Sequence, residues 1–220
     1  MRALKLNDDD LFSSILELFP PMTREEQIVS IQIYRLLAEG EPVSLARLVE
    51  ASGLPEELVN AILELWNAVL YADDGMIQGY LGLGLNETGH LFEVEGTKLY
   101  TWCAWDTLFI PGLIGKRAVI KSKCPVTNEN ITLRVGADGA IEELDPAGAV
   151  MSILTVDKDN FDKNIIKSFC HFVHFFSSWE AGRIWAAERE GTRIVSVEDG
   201  VRLSALKNKA QYKDVLKVTK

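Results

Sequence analysis

The sequence predicts an α+β fold, because helical and extended patterns both occur and do not alternate as regular βαβ units. Up to about residue 70, apolar residues recur at helical spacing, whereas short β-rich runs bounded by glycine and proline turns dominate the later chain. We therefore expect an N-terminal extension over residues 1–23, a helical module over 24–85 and an α+β core over 86–220. The core is expected to hold mixed, mainly antiparallel short β-sheets with flanking helices.

Three helices are predicted in the helical module, each from a start signal followed by apolar residues at helical spacing. Thr23 and Glu26 can form a capping box that begins the first helix, Ser44 caps the second and Pro55 opens the third. The predicted helices cover residues 24–39 and 44–51 and run from 55 to about 69, and an extended ribbon follows at 76–85. Three helices followed by a ribbon is the order of a winged helix, so the module is predicted to be winged-helix-like.

The charge of this module argues against nucleic-acid binding. Residues 1–100 hold 17 acidic and 6 basic residues, a net charge of −11, whereas the remaining 120 residues carry a net +2. The third helix, which would enter the major groove, has only Glu56, Glu57 and Glu64 as charged residues. It lacks the Arg and Lys that read guanine edges and contact phosphates. We therefore predict that the module serves for packing and that the protein binds no nucleic acid.

In the predicted core, turn residues separate short strands and helices. A strand pair at 91–95 and 98–101 turns at Gly96, and a helix begins near Cys103 and ends at Pro111-Gly112. An apolar, buried strand is expected over 167–174. Further strands are predicted at 117–122, 131–135, 141–143, 149–156 and 194–197, and further helices at 179–190 and 198–207.

Composition indicates a globular protein of the reducing cytoplasm. The chain has 220 residues, of which 47% are hydrophobic and 25% are charged. We expect no secretory signal, because acidic residues precede any long apolar stretch, and no membrane span, because no apolar run approaches about 20 residues. The three cysteines are odd in number and widely spaced, so no disulfide framework is expected.

Cys103 and Asp106 are the first candidate site residues. At positions i and i+3 of the predicted helix they share a face, so a thiol and a carboxyl could converge on one ligand. The first helical turn would favour a Cys103 thiolate, and apolar neighbours would let Asp106 keep a proton at neutral pH and deliver it. These neighbours are Trp102, Trp105, Leu108 and Phe109. For an isolated Cys-x-x-Asp, however, a buried structural cysteine and a surface acid are the commoner arrangement.

Cys170 lies among aromatic residues and beside two histidines, which leaves several chemistries open. With Cys103 and Asp106 it would offer two thiols and a carboxylate, a set that suits a soft metal. With His171 and His174 it could instead act as a hydrolase nucleophile or bind zinc. No Gly-rich oxyanion loop adjoins it, strand alternation would turn His171 away, and a fourth zinc ligand is not evident. Cys124 is predicted to be structural, and His90 to lie in a loop without an evident partner.

Two segments of the chain carry a family resemblance. They are Leu-Tyr-Thr-Trp-Cys-Ala-Trp-Asp-Thr-Leu-Phe-Ile-Pro-Gly-Leu-Ile-Gly (99–115) and Ser-Phe-Cys-His-Phe-Val-His-Phe-Phe (168–176). Both closely resemble the alkylmercury lyase (organomercurial lyase) family. Supporting matches are Pro-Val-Ser-Leu-Ala-Arg-Leu (42–48), Asp-Pro-Ala-Gly-Ala-Val-Met-Ser (145–152) and Ile-Val-Ser-Val-Glu-Asp-Gly (194–200). The similarity runs from about residue 24 to 200 and keeps the order of these segments.

This resemblance implies cleavage of the carbon–mercury bond of organomercurials by protonolysis, yielding a hydrocarbon and Hg(II). The family's catalytic trio matches Cys103, Cys170 and Asp106, two thiolates that bind mercury and an aspartate that relays the proton. A non-catalytic family cysteine matches Cys124. The resemblance also implies a winged-helix-like module on an α+β core, no organic cofactor, removal of Hg(II) by external thiols, and mercuric reductase as the cytoplasmic partner that accepts it.

The chain departs from this pattern at three places. His171 stands where some relatives carry a second cysteine, so we expect it to be non-essential. Trp105 replaces a smaller aliphatic residue, which could change the organic groups that fit. The first 20 or so residues match poorly. The alternatives are a mercury-responsive winged-helix regulator without turnover and, less favoured, a cysteine hydrolase.

Overall fold

The computed structural model describes residues 13, 16, 19, 21–154 and 169–216. Over these residues the chain combines α-helices with two antiparallel sheets, which confirms the predicted α+β class. The helices are α1 (Arg24–Leu37), α2 (Leu45–Ser52), α3 (Glu56–Leu65), α4 (Asp106–Ile114), α5 (Trp179–Ala186) and α6 (Val197–Gln211).

The larger sheet has eight strands in the order β1-β2-β3-β5-β4-β6-β7-β8, and the smaller one has the order β10-β9-β11. Each described pairing is antiparallel. The strands are β1 (Val69–Tyr71), β2 (Ile77–Tyr80), β3 (Leu83–Gly84), β4 (His90–Val94), β5 (Thr97–Thr101), β6 (Ala118–Lys123), β7 (Asn130–Val135), β8 (Ile141–Asp145), β9 (Val150–Leu154), β10 (Phe175–Phe176) and β11 (Thr192–Ser196).

The first three helices follow the start signals in the sequence. Thr23 and Glu26 form the predicted capping box, in which each side chain accepts a hydrogen bond from the other residue's backbone N–H. The third helix ends at Leu65, earlier than predicted, because Val69 pairs with Tyr80 in the first hairpin of the large sheet. Three helices followed by a hairpin is therefore the observed order.

Helix α1 is fixed to the large sheet by buried hydroxyl groups. Tyr80 donates to Ser30 Oγ over 3.0 Å, and Ser30 Oγ lies 2.8 Å from the hydroxyl of Tyr212. The Tyr34 hydroxyl donates to the carbonyl of Leu81 over 2.7 Å. These bonds hold α1 against the turn between β2 and β3, and this turn forms one wall of the candidate site.

The helix predicted to run from Cys103 to Pro111-Gly112 is displaced along the chain. Helix α4 begins at Asp106, contains Pro111 and ends at Ile114, where Gly115 adopts a left-handed backbone conformation. Proline inside a helix removes one backbone hydrogen bond. The loss is tolerated here because all but one residue of α4 are buried, so packing stabilises the helix on every side.

The strand predicted over 167–174 is also wrong in its described part. Cys170–Phe172 form one turn of 3₁₀ helix, and strand β10 starts only at Phe175. Residues 167 and 168 lie outside the described residues, as does most of the extension over 1–23. The turn forms because the Phe172 N–H bonds the carbonyl of Phe169 and the Val173 N–H bonds that of Cys170.

Candidate active site

Cys103, Asp106 and Cys170 meet in the interior of the protein. One sulfur atom from each cysteine and one carboxylate oxygen lie within 4.8 Å of one another, and all three residues are buried. Within the described ranges, this is the one group of three or more potential metal ligands from His, Cys, Asp and Glu. The structure therefore brings together the three residues that the sequence singled out.

A tight turn between β5 and α4, rather than a shared helix face, joins Cys103 to Asp106. The backbone N–H of Cys103 donates to Asp106 Oδ2 over 2.8 Å, and the Thr101 hydroxyl donates to the carbonyl of Cys103 over 3.1 Å. Asp106 is the first residue of α4, so its carboxyl bends back over the turn. The predicted position of Cys103 in the first helical turn is thus wrong.

Backbone hydrogen bonds attach the Cys170 turn to this first turn. The Ala104 N–H donates to the carbonyl of Val173 over 3.1 Å. On the other side, the Ser152 hydroxyl of β9 donates to the carbonyl of Phe172 over 2.8 Å and accepts from the N–H of His174 over 2.9 Å. The position of the second thiol therefore depends on Ser152, which sequence analysis did not single out.

Gly82 lets the turn between β2 and β3 approach the carboxyl of Asp106. Its φ is +102°, and a Cβ atom built on it would lie 2.5 Å from both Cγ and Oδ1 of Asp106. The carbonyl of Gly82 accepts a hydrogen bond from the Trp102 N–H over 2.9 Å. A side chain at this position would occupy the space of the carboxyl.

Aromatic side chains form the wall of a small cavity at the site. Trp105 packs edge-on against Phe19, Phe109 and Phe169, with ring centroids 5.5–5.9 Å apart. The indole N–H of Trp105 donates to the carbonyl of Gly200 over 3.3 Å, which fixes its ring. The described residues that line the cavity are Phe19, Leu81, Gly82, Trp102, Trp105, Asp106, Phe109, Phe169 and Cys170.

Burial raises the pKa of each acidic group of the site. It raises the pKa of Asp106 to about 7, although hydrogen bonds from Cys103 and the charge of Lys207 act in the opposite direction. Burial likewise raises the pKa of Cys103 well above its usual value. A hydrogen bond from Cys103 lowers the pKa of Cys170, but burial and the charge of Asp106 give a net rise. The predicted Cys103 thiolate is therefore disfavoured in the folded protein.

Comparison with known proteins shows the family to which the chain belongs. The family model for alkylmercury lyase matches residues 83–207. The chain is 42% identical to the alkylmercury lyase of Pseudomonas putida over 176 residues, which cover 80% of this chain and 81% of that protein. The chain belongs to the alkylmercury lyase family. It is also 39% identical to the alkylmercury lyase of Bacillus cereus, covering 79% of this chain and 78% of that one.

A solved structure extends this likeness to the fold. The crystal structure of the mercury-bound form of MerB2 superposes with a TM-score of 0.69, covering 91% of this chain and 97% of that chain. Sequence identity to that chain is 22%, so the match concerns the fold alone. This likeness spans the helical module as well as the core.

The remaining candidate residues lie away from the cavity of this alkylmercury lyase family member. Cys124 is buried in a separate turn, where its sulfur accepts a hydrogen bond from the Thr127 N–H over 3.5 Å. His171 is exposed, and a ring nitrogen of His174 contacts the carbonyl of His171 rather than a thiol. The described contacts therefore do not favour a cysteine hydrolase or a zinc site at Cys170.

The structure corrects the prediction for His90, which begins β4 and does not lie in a loop without a partner. Its Nδ1 is 2.8 Å from the hydroxyl of Ser122, and its ring stacks with that of His174 at 6.2 Å between centroids. Burial and the neighbouring His174 lower the pKa of His90 to about 3. This histidine is a neutral packing residue.

Lys207 of α6 is a further residue near the site that sequence analysis missed. Its side chain is fully buried, with the amino group 3.8 Å from the ring centroid of Phe109. Burial lowers the pKa of Lys207 to about 7, while Asp106 acts to raise it. A signal was present in the sequence: Leu203, Lys207 and Gln211 follow at intervals of four, so the lysine shares the buried face of the helix.

Proposed function

We propose that this member of the family cleaves the carbon–mercury bond of organomercurials by protonolysis, giving a hydrocarbon and Hg(II). The observation that carries the proposal is the buried cluster of two thiols and one carboxylic acid within 4.8 Å. Mercury is a soft metal, and thiolates bind soft metals better than oxygen or nitrogen ligands do. Cys103 and Cys170 are the proposed mercury ligands, and Asp106 is the proposed proton carrier and a neighbour of the bound metal.

Capture of the substrate begins at Cys170. This residue lines the cavity, whereas Cys103 is fully buried and is not among the described lining residues. For a substrate R–Hg–X, a sulfur–mercury bond forms at Cys170, the bond from mercury to X breaks, and HX leaves with the thiol proton. The aromatic cavity wall accommodates the organic group R.

Cleavage requires the second thiol and the carboxyl together. The sulfur of Cys103 forms a second bond to mercury and passes its proton to Asp106, whose carboxylate accepts from the N–H of the same residue. Electron donation from two sulfurs weakens the carbon–mercury bond. The bond breaks with its electron pair on carbon, and Asp106 delivers the proton there. In sum, R–Hg–X and two thiols give R–H, HX and mercury held by two thiolates.

The pKa of Asp106 suits this role. With a pKa of about 7, its carboxyl can both accept and donate a proton near neutral pH. The high pKa of Cys103 means that its thiol still holds a proton for Asp106 when the substrate arrives. We propose that no organic cofactor takes part, since the side chains supply the ligands and the proton.

Product release and location follow from the same chemistry. Hg(II) held by two buried thiolates would leave by exchange with external thiols, and mercuric reductase would accept it. Such thiols are abundant in a reducing cytoplasm, which is where we place the enzyme. No helix among the described residues is long and apolar enough to cross a membrane.

We assign residues 24–85 to a winged-helix-like module that packs against the catalytic core and binds no nucleic acid. Glu56, Glu57 and Glu64 of α3 are all exposed, and an acidic surface repels phosphates. Tyr34 of α1 supports the cavity wall through its bond to Leu81. A regulator without turnover would instead bind its own upstream DNA, and a gel-shift assay with and without Hg(II) separates the two functions.

Headspace measurement of methane released from methylmercury tests the proposed function. Purified protein with excess thiol is expected to release methane repeatedly. Cys103→Ser and Cys170→Ser should each abolish release, because one thiolate cannot activate the bond. Asp106→Asn should still bind the organomercurial but lose protonolysis, because an amide cannot donate a carboxyl proton.

Cys124→Ser is the matched control, since it removes a buried thiol outside the cluster. It should turn over at a near-normal rate in fresh protein. Normal methane release by Cys103→Ser or Cys170→Ser would overturn the two-thiol scheme. Full activity of Asp106→Asn would remove that residue from the mechanism.

A further inference from the structure

Lys207 is an unusual residue for the interior of a protein, because its amino group has no hydrogen-bond partner among the described residues. The residue has 0% of its surface exposed. Three aromatic rings surround the nitrogen: Phe109 at 3.8 Å, and Phe19 and Tyr212 at 5.4 Å each. Contacts with aromatic faces attract a cation, yet they replace little of the lost hydration. Folding alone gives no reason to place a lysine here.

The position of Lys207 connects it to the candidate site. Phe109, the ring closest to its nitrogen, stands one helical turn after Asp106 on α4, and both line the cavity. Helix α6 packs along α4, and the amino group of the lysine contacts the ring of Phe109, a residue of the cavity wall. Asp106 and Lys207 influence each other, since Asp106 raises the pKa of Lys207 and Lys207 lowers the pKa of Asp106.

The proton-delivery step of the proposed reaction creates a negative charge at Asp106. Once it has accepted the proton of Cys103, Asp106 is neutral. After cleavage, the proton has moved to carbon, mercury is neutralised by two thiolates, and the Asp106 carboxylate is left inside an apolar cavity. An ionised carboxylate without a nearby positive charge is strongly disfavoured in such surroundings.

We propose that Lys207 is a positioning residue for carbon–mercury cleavage, whose buried ammonium stabilises the Asp106 carboxylate that forms when the proton is delivered. This inference rests on the proposed function, because it assigns Lys207 to the proton-transfer step of that reaction. Among the described residues, no hydrogen bond joins the lysine to either thiol. The lysine acts through the charge of Asp106.

Replacement of the charge by an apolar side chain of similar length provides the test. Lys207→Met should lower kcat for methane release about 10- to 100-fold. This is the usual effect of removing a group that acts on a residue of a metal site without binding the metal itself. The KM should change little, because capture by Cys170 does not need the lysine. The midpoint of thermal unfolding should rise, since an unpaired buried charge is replaced by an apolar group.

Lys209→Met is the matched control, because Lys209 lies on the exposed side of the same helix. It should leave kcat and the unfolding midpoint unchanged. A core lysine with a merely structural role would behave differently from the proposal: its replacement would lower kcat and the unfolding midpoint together. That joint loss, or a normal kcat for Lys207→Met, would overturn the proposal.

A double-mutant cycle with Asp106→Asn isolates the coupling without any turnover. At pH 7, Lys207→Met should raise the unfolding midpoint more in the Asp106→Asn protein than in the wild type, because only the wild type loses an attraction. Equal shifts in the two backgrounds would overturn the coupling. Absence of methane release by the wild type would instead refute the proposed function, so the two failures are distinguishable.

Discussion

Replacing Gly82 by alanine should move the proposed proton donor without altering any residue of the cluster. The new Cβ would lie 2.5 Å from Cγ and Oδ1 of Asp106, whereas carbon atoms in contact are about 3.5–4.0 Å apart. The carboxyl must therefore shift by roughly 1 Å, and a misplacement of about that size can cost about 100-fold in rate. We predict a fall of that order in kcat for methane release from methylmercury.

The control must separate this displacement from backbone strain, because the φ of Gly82 is +102°. An alanine in left-handed conformation costs roughly 1–2 kcal/mol. Gly96 has a φ of +85° and no neighbouring atom within 4 Å of an added Cβ. Gly96→Ala should therefore show a similar loss of stability with a normal kcat.

The assay measures kcat and the unfolding midpoint of both variants side by side. Each midpoint should fall by several degrees, given about 2–4 °C per kcal/mol for a protein of this size. Only Gly82→Ala should lose activity. Equal kcat values for the two variants would refute the claim that the β2–β3 turn sets the position of the Asp106 carboxyl.

Three further predictions concern His90, Trp105 and Ser152. The pKa of His90, about 3 in the folded protein against about 6.5 unfolded, means that stability is lost as the pH falls below 6.5. Between pH 7 and pH 4, the free energy of unfolding measured with denaturant should therefore fall by about 3 kcal/mol less for His90→Gln than for the wild type. An equal fall in the two proteins would contradict this. Trp105→Leu should widen the cavity and raise kcat/KM for phenylmercury relative to methylmercury by about tenfold, and an unchanged ratio would exclude Trp105 as a selectivity residue. Ser152→Ala leaves the carbonyl of Phe172 and the N–H of His174 without their partner, so it should cost about 1–3 kcal/mol in unfolding free energy and lower kcat about tenfold. Wild-type kcat in that variant would show that the Cys170 turn is held by other contacts.

The sequence predicted the α+β class and most elements, because their signals are local. The Thr23–Glu26 capping box, Gly96 between β4 and β5, and the alternation of residues in β6 and β7 each act over a few residues. The displaced start of α4 and the proline within it could not be predicted in the same way. They depend on burial of the whole helix, which is a property of the folded chain.

The residues of the candidate site were predicted correctly, but their local geometry was not. Resemblance to the family joined Cys170 to Cys103 and Asp106, whereas the spacing argument placed the last two on one helix face. The structure brings them together through a turn and an N–H bond to the carboxylate. The pKa of Cys103 was expected to fall in the first turn of a helix, but Cys103 precedes α4 and its complete burial raises the pKa.

The supporting residues were missed because they are distant in sequence from the cluster. Gly82, Ser152 and Lys207 each act on it through the tertiary fold, and only the periodicity of α6 hinted at the burial of Lys207. Their types are nonetheless informative once the fold is known. Gly82 lies against a carboxyl, Ser152 joins two elements, and Lys207 has no hydrogen-bond partner in the part of the chain that the structure describes. All three point to the same site.

A crystal structure of the protein after a single turnover with methylmercury tests the central claim most directly. The account predicts one mercury ion bound by the sulfur atoms of both Cys103 and Cys170, with the carboxyl of Asp106 beside it and no methyl group remaining. Mercury bound by one sulfur alone, or held at Cys124 while the cluster is empty, would contradict the account.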